Sequence, residues 1–290
     1  MTLAVYIGRF QPPHRAHVDT MLSALERHAR LLVLPGSADL ARSVKNPWSA
    51  PERVRMIRAA LAGAGADLRR VRFAPLPDEF DAALWAAGVR VAVGTPDAVL
   101  VGCEKDATSS YLRWFPEWEA DSAPVTPGLN ATDLRRAYFT GEPVPDLPDA
   151  VWAALGAFRQ TRTFRRLRAE YTAVQAERSR LAGATLPLRE VRHCHVAGGH
   201  VWLRRRTGPI GRGLWELPGR WLDLGESPPP GARVFGHPSR SLVLPGVAHV
   251  LLSDGGGEAV PLAWALARPR QFFEDHHVIL RRLLGSPAAP

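Results

Sequence analysis

The segment Ala4-Val5-Tyr6-Ile7-Gly8-Arg9-Phe10-Gln11-Pro12-Pro13-His14-Arg15-Ala16-His17 constrains the fold more than any other stretch of the chain. An apolar run reaches Gly8, turns through two prolines, and delivers His14 and His17. That order predicts a buried strand, a tight turn and the opening turn of a helix. Residues three apart on a helix share a face, so both imidazoles would point together over the helix N-terminus. Free N–H groups and the helix dipole favour an anion there, typically phosphate. Such a pair can also be solvated or cap a core. A zinc site would need a third ligand, and none of suitable spacing follows nearby.

The same alternation continues downstream. Residues 3–7 and 31–35 read as strands, and 71–76, 89–93 and 99–101 as short apolar, β-branched runs. Residues 17–29 and 50–62 read as helices, the second opened by Pro51 in its first turn. This pattern predicts a doubly wound, Rossmann-like α/β domain with a parallel sheet, whose ligands sit at the carboxyl ends of the strands. A length of 290 residues suggests about two domains. Residues 151–158 and 164–181 read as a helical bridge, which breaks at Ala182-Gly183-Ala184 and Pro187. Beyond it, 191–196 and 200–206 read as strands paired around Gly198-Gly199. Residues 247–253 and 259–265 read as further strands and 272–284 as a helix, giving an α+β domain. The expected boundaries are 1–150, 151–184 and 185–290.

Composition narrows the class. With 46% hydrophobic and 22% charged residues, both domains can build ordinary cores. No run of some twenty apolar residues suits a membrane span. The N-terminus does not read as a signal peptide, and the two cysteines, Cys103 and Cys194, make no disulfide framework. A cytoplasmic protein is expected. The net charge of +9 raises nucleic acid as a partner, but the arginines are spread along the chain without an aromatic-basic signature, so none is expected. Of 37 basic residues only Lys45 and Lys105 are lysine, which suggests positions that want a compact ammonium.

Four more segments gather polar groups near strand ends. The first is Gly36-Ser37 through Arg42 to Lys45-Asn46-Pro47-Trp48 and Glu52-Arg53. The second is Pro77-Asp78 with Trp85. The third runs from Gly102-Cys103-Glu104-Lys105-Asp106 through Ser109-Ser110-Tyr111 to Phe115-Pro116-Glu117-Trp118. The fourth is Gly128-Leu129-Asn130-Ala131-Thr132-Asp133-Leu134-Arg135, where Asn130 suits an N-cap and Arg135 the first turns of its helix. A helix N-terminus with an arginine is a second phosphate clamp. Singly, these read as polar loops, a core tryptophan or a capped helix.

Together with Gly8-Arg9-Phe10-Gln11-Pro12-Pro13-His14-x-x-His17, the set resembles the nucleotidylyltransferase superfamily in the version carried by nicotinamide mononucleotide (NMN) adenylyltransferases. Ala16 stands where that family has glycine, and Asn130 where it has serine. The resemblance implies transfer of AMP from ATP to NMN, giving NAD+ and pyrophosphate. It implies that Gly8, Arg9, Phe10, His14, His17, Asn130, Thr132 and Arg135 bind ATP. His14, His17 and Arg135 would act on its phosphates, with His17 nearest the α-phosphate. Lys45, Asn46, Trp48, Trp85 and Lys105 would face NMN. Mg2+ would arrive with ATP, with no metal ligand from the protein in this domain. The attacking phosphate is already an anion, so positioning and charge neutralisation replace a general base. These motifs do not separate NMN from nicotinate mononucleotide, and a homo-oligomer stays open.

In the second domain, Arg204-Arg205-Arg206, Gly211-Arg212-Gly213-Leu214-Trp215-Glu216-Leu217-Pro218-Gly219 and Leu224-Gly225-Glu226-Ser227 resemble the approach to a Nudix box. Residues 272–279 resemble the closing helix of Nudix domains fused to NMN adenylyltransferases. In the box register Gly219 and Glu226 remain as remnants, whereas Arg220 takes the first glycine position. Val234 and Phe235 take the Arg-Glu positions, Pro238 and Ser239 those of the paired glutamates. No acidic residue lies between Glu226 and Asp254, and Pro228-Pro229-Pro230 opposes a helix. Nudix hydrolysis needs several carboxylates on one helix to hold hard metal ions. Lost hydrolase function is therefore expected. The alternatives are a bifunctional enzyme that also cleaves ADP-ribose, and a non-catalytic nucleotide-sensing regulator. His193-Cys194-His195 alternates faces along a strand and reads as structural.

Overall fold

The computed structural model describes residues 2–79, 81–102, 113–122, 130–184, 186–223, 225–236 and 241–285. Contacts divide the chain into two units, Met1–Asp39 with Lys45–Arg165, and Leu40–Val44 with Arg166–Pro290.

The first unit begins with β1 (Leu3–Gly8), α1 (Arg15–Arg27), β2 (Arg30–Pro35) and α2 (Ala50–Gly63). Then come β3 (Val71–Phe73), α3 (Ala82–Val93), β4 (Ala98–Gly102), β5 (Glu119–Ser122), α4 (Ala131–Thr140) and α5 (Asp149–Arg159). Helix α6 (Arg162–Arg180) starts in this unit and continues into the second. The five strands are parallel in the order β3-β2-β1-β4-β5. Strand order reverses between β1 and β4, which opens the crevice that ligands of such sheets occupy. The central strands are buried on both faces, so Leu31, Leu32, Val33 and Leu34 are all core residues.

Local chemistry explains where the helices start and stop. Ser49 and Glu52 form a capping box at α2, with Glu52 Oε2 accepting from the Ser49 N–H at 2.8 Å. Asn130 caps α4, as its sequence position suggests, and Gly141 ends that helix in the left-handed conformation. Residues 89–93 correct the reading as a β-branched run, because they close α3. Asp81 caps that helix through the Leu84 N–H, Ala-rich sequence propagates it and Gly94 stops it. Strand β5, Glu-Ala-Asp-Ser, has no apolar pattern and forms through its parallel pairing with β4.

The second unit carries β6 (Leu188–His193), β7 (Val196–Ala197), β8 (His200–Arg205), β9 (Trp215–Glu216) and β10 (Gly219–Trp221). It continues with β11 (Arg233–Gly236), β12 (Gly246–Leu251), β13 (Glu258–Pro261), α7 (Leu262–Leu266) and α8 (His276–Leu283). One mixed sheet has the order β10-β6-β12-β11, with β6 and β12 parallel. A second sheet runs β13-β8-β7, with β9 on β8. The expected pairing of 191–196 with 200–206 is therefore confined to the short β7–β8 hairpin, and residues 262–266 are helical. The core joins Val201, Leu203, Leu217, Ala248, Val250, Phe272 and Leu280. Where a box helix would follow Glu226, the described residues hold β11.

Candidate active site

The site of the first unit is built at the carboxyl end of β1. Phe10 has a left-handed backbone (φ 50°), which curls its ring back over Gly8. A Cβ on Gly8 would lie 2.8 Å from that ring and would force it to shift. The chain then reaches His14, which caps α1 and is 2% exposed. The His14 and His17 rings stack, with centroids 3.6 Å apart and planes 28° from parallel. His17 Nδ1 accepts from the His14 backbone N–H at 3.2 Å. A neutral ring that accepts at Nδ1 carries its proton on Nε2, so His17 offers an N–H donor at its far edge. Phe10 packs edge-on to the same ring at 4.9 Å.

Arg135, from the second turn of α4, arrives beside this loop. Its Nη1 donates to the Gln11 carbonyl at 2.7 Å and its Nη2 to Thr132 Oγ1 at 3.2 Å. No carboxylate among the described residues pairs with it. Burial, and then the neighbouring Arg9 charge, push the guanidinium well below its ordinary pKa. The α4 N-terminus itself is filled, because Asn130 Oδ1 accepts from the Thr132 and Asp133 N–H groups at 3.0 and 2.9 Å. The second clamp is therefore the guanidinium with the Thr132 hydroxyl, rather than open helix amides.

The remaining expected site residues divide. Asn46 is buried and Lys45 half-buried, both on the segment between β2 and α2. Trp48 on the same segment enters the core at 1% exposure, against Tyr138 at 5.4 Å and Phe158 at 5.9 Å. Trp85 is half-buried on α3 beside Trp114 and Phe115. Lys105 lies outside the described residues.

Two residues to which sequence reasoning gave no role hold the loops together. Arg53 is fully buried and donates to the carbonyls of Arg9, at 2.5 Å, and Gly36, at 2.8 Å, tying together the chain just past β1 and β2. Gln11 is 1% exposed and its side chain bonds both backbone groups of Trp48. Their signal was present as a polar residue inside a motif, but its partner could not be read.

In the second unit, buried charge is paired. Arg192 bonds Glu190 Oε2 at 2.5 Å and Glu216 Oε2 at 3.2 Å, and Arg204 and Arg206 reach Glu216 at 2.7 and 2.6 Å. Burial alone would raise the Glu216 carboxyl, but these arginines outweigh it and hold it below the ordinary range. A cavity of about 500 Å³ is lined by His193, Arg204, Arg220, Glu226 and Leu251 among others. Glu226 is clamped by Arg220 at 2.5 Å, which holds its carboxyl down near about 2. Gly219 has a packing reason, since a Cβ there would lie 2.0 Å from the Val191 carbonyl oxygen.

A cluster that the box register passed over lies at Glu274, Asp275 and His276, whose ligand atoms lie within 4.8 Å of one another. Glu274 adopts φ 45°, a left-handed conformation that a non-glycine residue holds only when its surroundings impose it. Asp275 and His276 are buried at 2% and 1% exposure. His276 Nδ1 accepts from the Leu217 N–H at 2.9 Å, and Glu274 Oε1 from the Leu242 N–H at 2.6 Å. The two carboxylates are hard donors of the kind Mg2+ and Mn2+ take. The donor set thus fits a divalent ion, held by Glu274 and Asp275 beside the imidazole. Its sequence signal was a run of acidic and imidazole side chains at the start of a helix.

No helix among the described residues is long and apolar enough to cross a membrane. The cytidylyltransferase-like family model matches residues 5–94. A nicotinamide/nicotinic acid mononucleotide adenylyltransferase from Acinetobacter baylyi is 32% identical over 176 residues, covering 58% of this chain and 93% of that protein. A nicotinamide-nucleotide adenylyltransferase from Pyrococcus horikoshii is 31% identical over 152 residues, 51% of this chain and 78% of that one. The fold of the whole chain matches a bifunctional NMN adenylyltransferase/ADP ribose pyrophosphatase from Francisella tularensis. That enzyme, solved with AMP and a manganese ion, has a TM-score of 0.84 and 23% identity over 98% of both chains.

The expectation of lost hydrolase function in the second unit is corrected by two findings. Its fold is that of the bifunctional enzyme, and it carries the carboxylate and imidazole cluster at residues 274–276. The sequence argument failed because it sought metal ligands on one helix and found none there. The chain belongs to the nicotinamide/nicotinic acid mononucleotide adenylyltransferase family, its nucleotidyltransferase domain continued by a second domain with the fold of that bifunctional enzyme.

Proposed function

We propose that the first unit transfers the adenylyl group of ATP to nicotinamide mononucleotide, giving NAD+ and pyrophosphate. The observation that carries this reading is Arg135, a buried guanidinium beside Arg9 and paired with no carboxylate among the described residues. Such a cation calls for a polyanion. An oxygen of the mononucleotide phosphate bonds to the α-phosphorus of ATP. The bond from that phosphorus to the β-bridging oxygen breaks, and pyrophosphate leaves with the electron pair. No proton need be removed from the attacking group. His17 offers its Nε2–H to the α-phosphate, where charge develops. His14 shapes that donor by stacking on it. Thr132 and Arg135 hold the β- and γ-phosphates, and Gly8, Arg9 and Phe10 form the floor. Lys45, Asn46, Trp85 and Lys105 serve the acceptor side. Mg2+ held by the ATP phosphates would add charge neutralisation there.

Incubation with ATP, Mg2+ and each pyridine mononucleotide tests this. Dinucleotide and pyrophosphate are expected with NMN. Absence of both products with every acceptor overturns the reading.

The cluster at residues 274–276 favours a second activity. We propose that the second unit cleaves ADP-ribose to AMP and ribose 5-phosphate, a water oxygen bonding to phosphorus as the bridging oxygen departs. Glu274 and Asp275 would hold a divalent ion that activates that water. AMP release from ADP-ribose with Mg2+ or Mn2+ is expected in the wild type and lost in Asp275→Asn. No release with either ion overturns it.

A further inference from the structure

The motif residue Gln11 has no assigned part in the reaction, yet two separate segments converge on it. Its side-chain Nε2 donates to the Trp48 carbonyl at 2.9 Å, and its Oε1 accepts from the Trp48 N–H at 3.1 Å. The amide thus pairs with Trp48 as a neighbouring strand would. At 1% exposure no water can take over those bonds. Its own carbonyl accepts from Arg135 at 2.7 Å. The circuit closes through Trp48, whose ring packs on Tyr138 at 5.4 Å. Tyr138 lies three residues after Arg135 on α4, on the same face.

We infer that Gln11 is a positioning residue that locks the acceptor-side segment Lys45-Asn46-Pro47-Trp48 to the guanidinium that holds the triphosphate. This rests on the adenylyl-transfer reading above. An in-line displacement needs the attacking and leaving groups registered together, and a misplacement of about 1 Å costs about a hundredfold in rate. Gln11 is placed to set that register, because a shift of its backbone moves Arg135 and a shift of its amide moves Trp48.

Three variants test this in the full chain. Gln11→Met keeps the size and removes both side-chain bonds. Gln11→Glu keeps the acceptor and loses the donor until its carboxyl is protonated. Leu61→Ala, in the core of α2, lowers stability without touching a polar group. For Gln11→Met, kcat per folded molecule is expected to fall about tenfold to a hundredfold, while Leu61→Ala stays within about twofold of the wild type. For Gln11→Glu, the ratio of its kcat to that of the wild type is expected to rise as pH falls through the carboxyl's titration, because the protonated acid again donates to Trp48. His14, His17, Arg9 and Arg135 are common to both proteins and cancel in that ratio. A purely structural role would lower the melting temperature of all three and produce no such pH limb. Unchanged kcat in folded Gln11→Met, or a flat ratio for Gln11→Glu, overturns the inference. A wild type that makes no dinucleotide overturns instead the reading on which it rests.

Discussion

The two units treat buried arginine in opposite ways. In the first, Arg135 gives its hydrogen bonds to a carbonyl and a hydroxyl, and the charge that acts on it is that of another arginine, Arg9. In the second, Arg192 is met by Glu190 and Glu216, and Glu216 also takes Arg204 and Arg206. Desolvating a cation is costly unless an opposite charge compensates. The Arg192 network supplies that charge from within the fold and ties β6 to β8 and β9. Arg135 lacks it, and the proposed adenylyl transfer would supply it as the triphosphate of ATP. On that reading, an unbalanced buried charge serves a ligand and a balanced one braces the fold.

This contrast can be broken, most strongly in the second unit. Replacing Arg192 with Met takes a buried cation away from two buried carboxylates, Glu190 and Glu216, so urea unfolding should show a loss of about 3–5 kcal/mol. In the first unit, His17→Ala removes the donor that the proposed transfer would aim at developing charge. Its kcat per folded molecule should fall about 10²–10³-fold, with the circular dichroism spectrum of the folded protein retained. Arg135→Met should give the reverse of Arg192→Met. Stability is kept or raised because an uncompensated charge is gone, while the ATP affinity seen by calorimetry drops by about 1.5–3 kcal/mol. A variant that unfolds and still binds ATP would erase the distinction between the units.

The smallest effect concerns pH. The Glu216 carboxyl is held below its unfolded value, so its contribution is present above the ordinary carboxylate range and is lost as pH falls through the folded value. Acid titration of the wild type should show that loss, and Glu216→Gln should flatten it. An unchanged acid limb in that variant would mean that the network does not brace the unit.

Much of the first site was legible because its residues lie on short runs of chain. Gly8 to His17 carries its own turn, its own helix cap and its own ring stack, each set by neighbours a few residues away. The Asn130 cap and the Arg135 position follow from local helix geometry in the same way. The core packing of the Trp48 ring was not legible, because an aromatic beside a polar loop reads alike whether it faces a ligand or a core. Its burial depends on Tyr138 and Phe158, ninety and more residues later. The second unit was misjudged for a related reason. The Nudix box is one helix, and its failure was taken for failure of the domain, whereas Glu274 to His276 offers carboxylates elsewhere.

The sequence by itself determined the strand, turn and helix from Leu3 to Arg27, the Asn130 cap and the polar residue types gathered near the strand ends. These follow from periodicity and from bonds between near neighbours, which need no knowledge of the rest of the chain. Only the tertiary structure decided that Gln11 grips Trp48, that Arg135 reaches the Gln11 carbonyl, and that β6 lies parallel to β12. It alone decided which buried charges are balanced. Those outcomes join residues far apart in the chain, and packing selects among many local patterns that would satisfy each residue equally well.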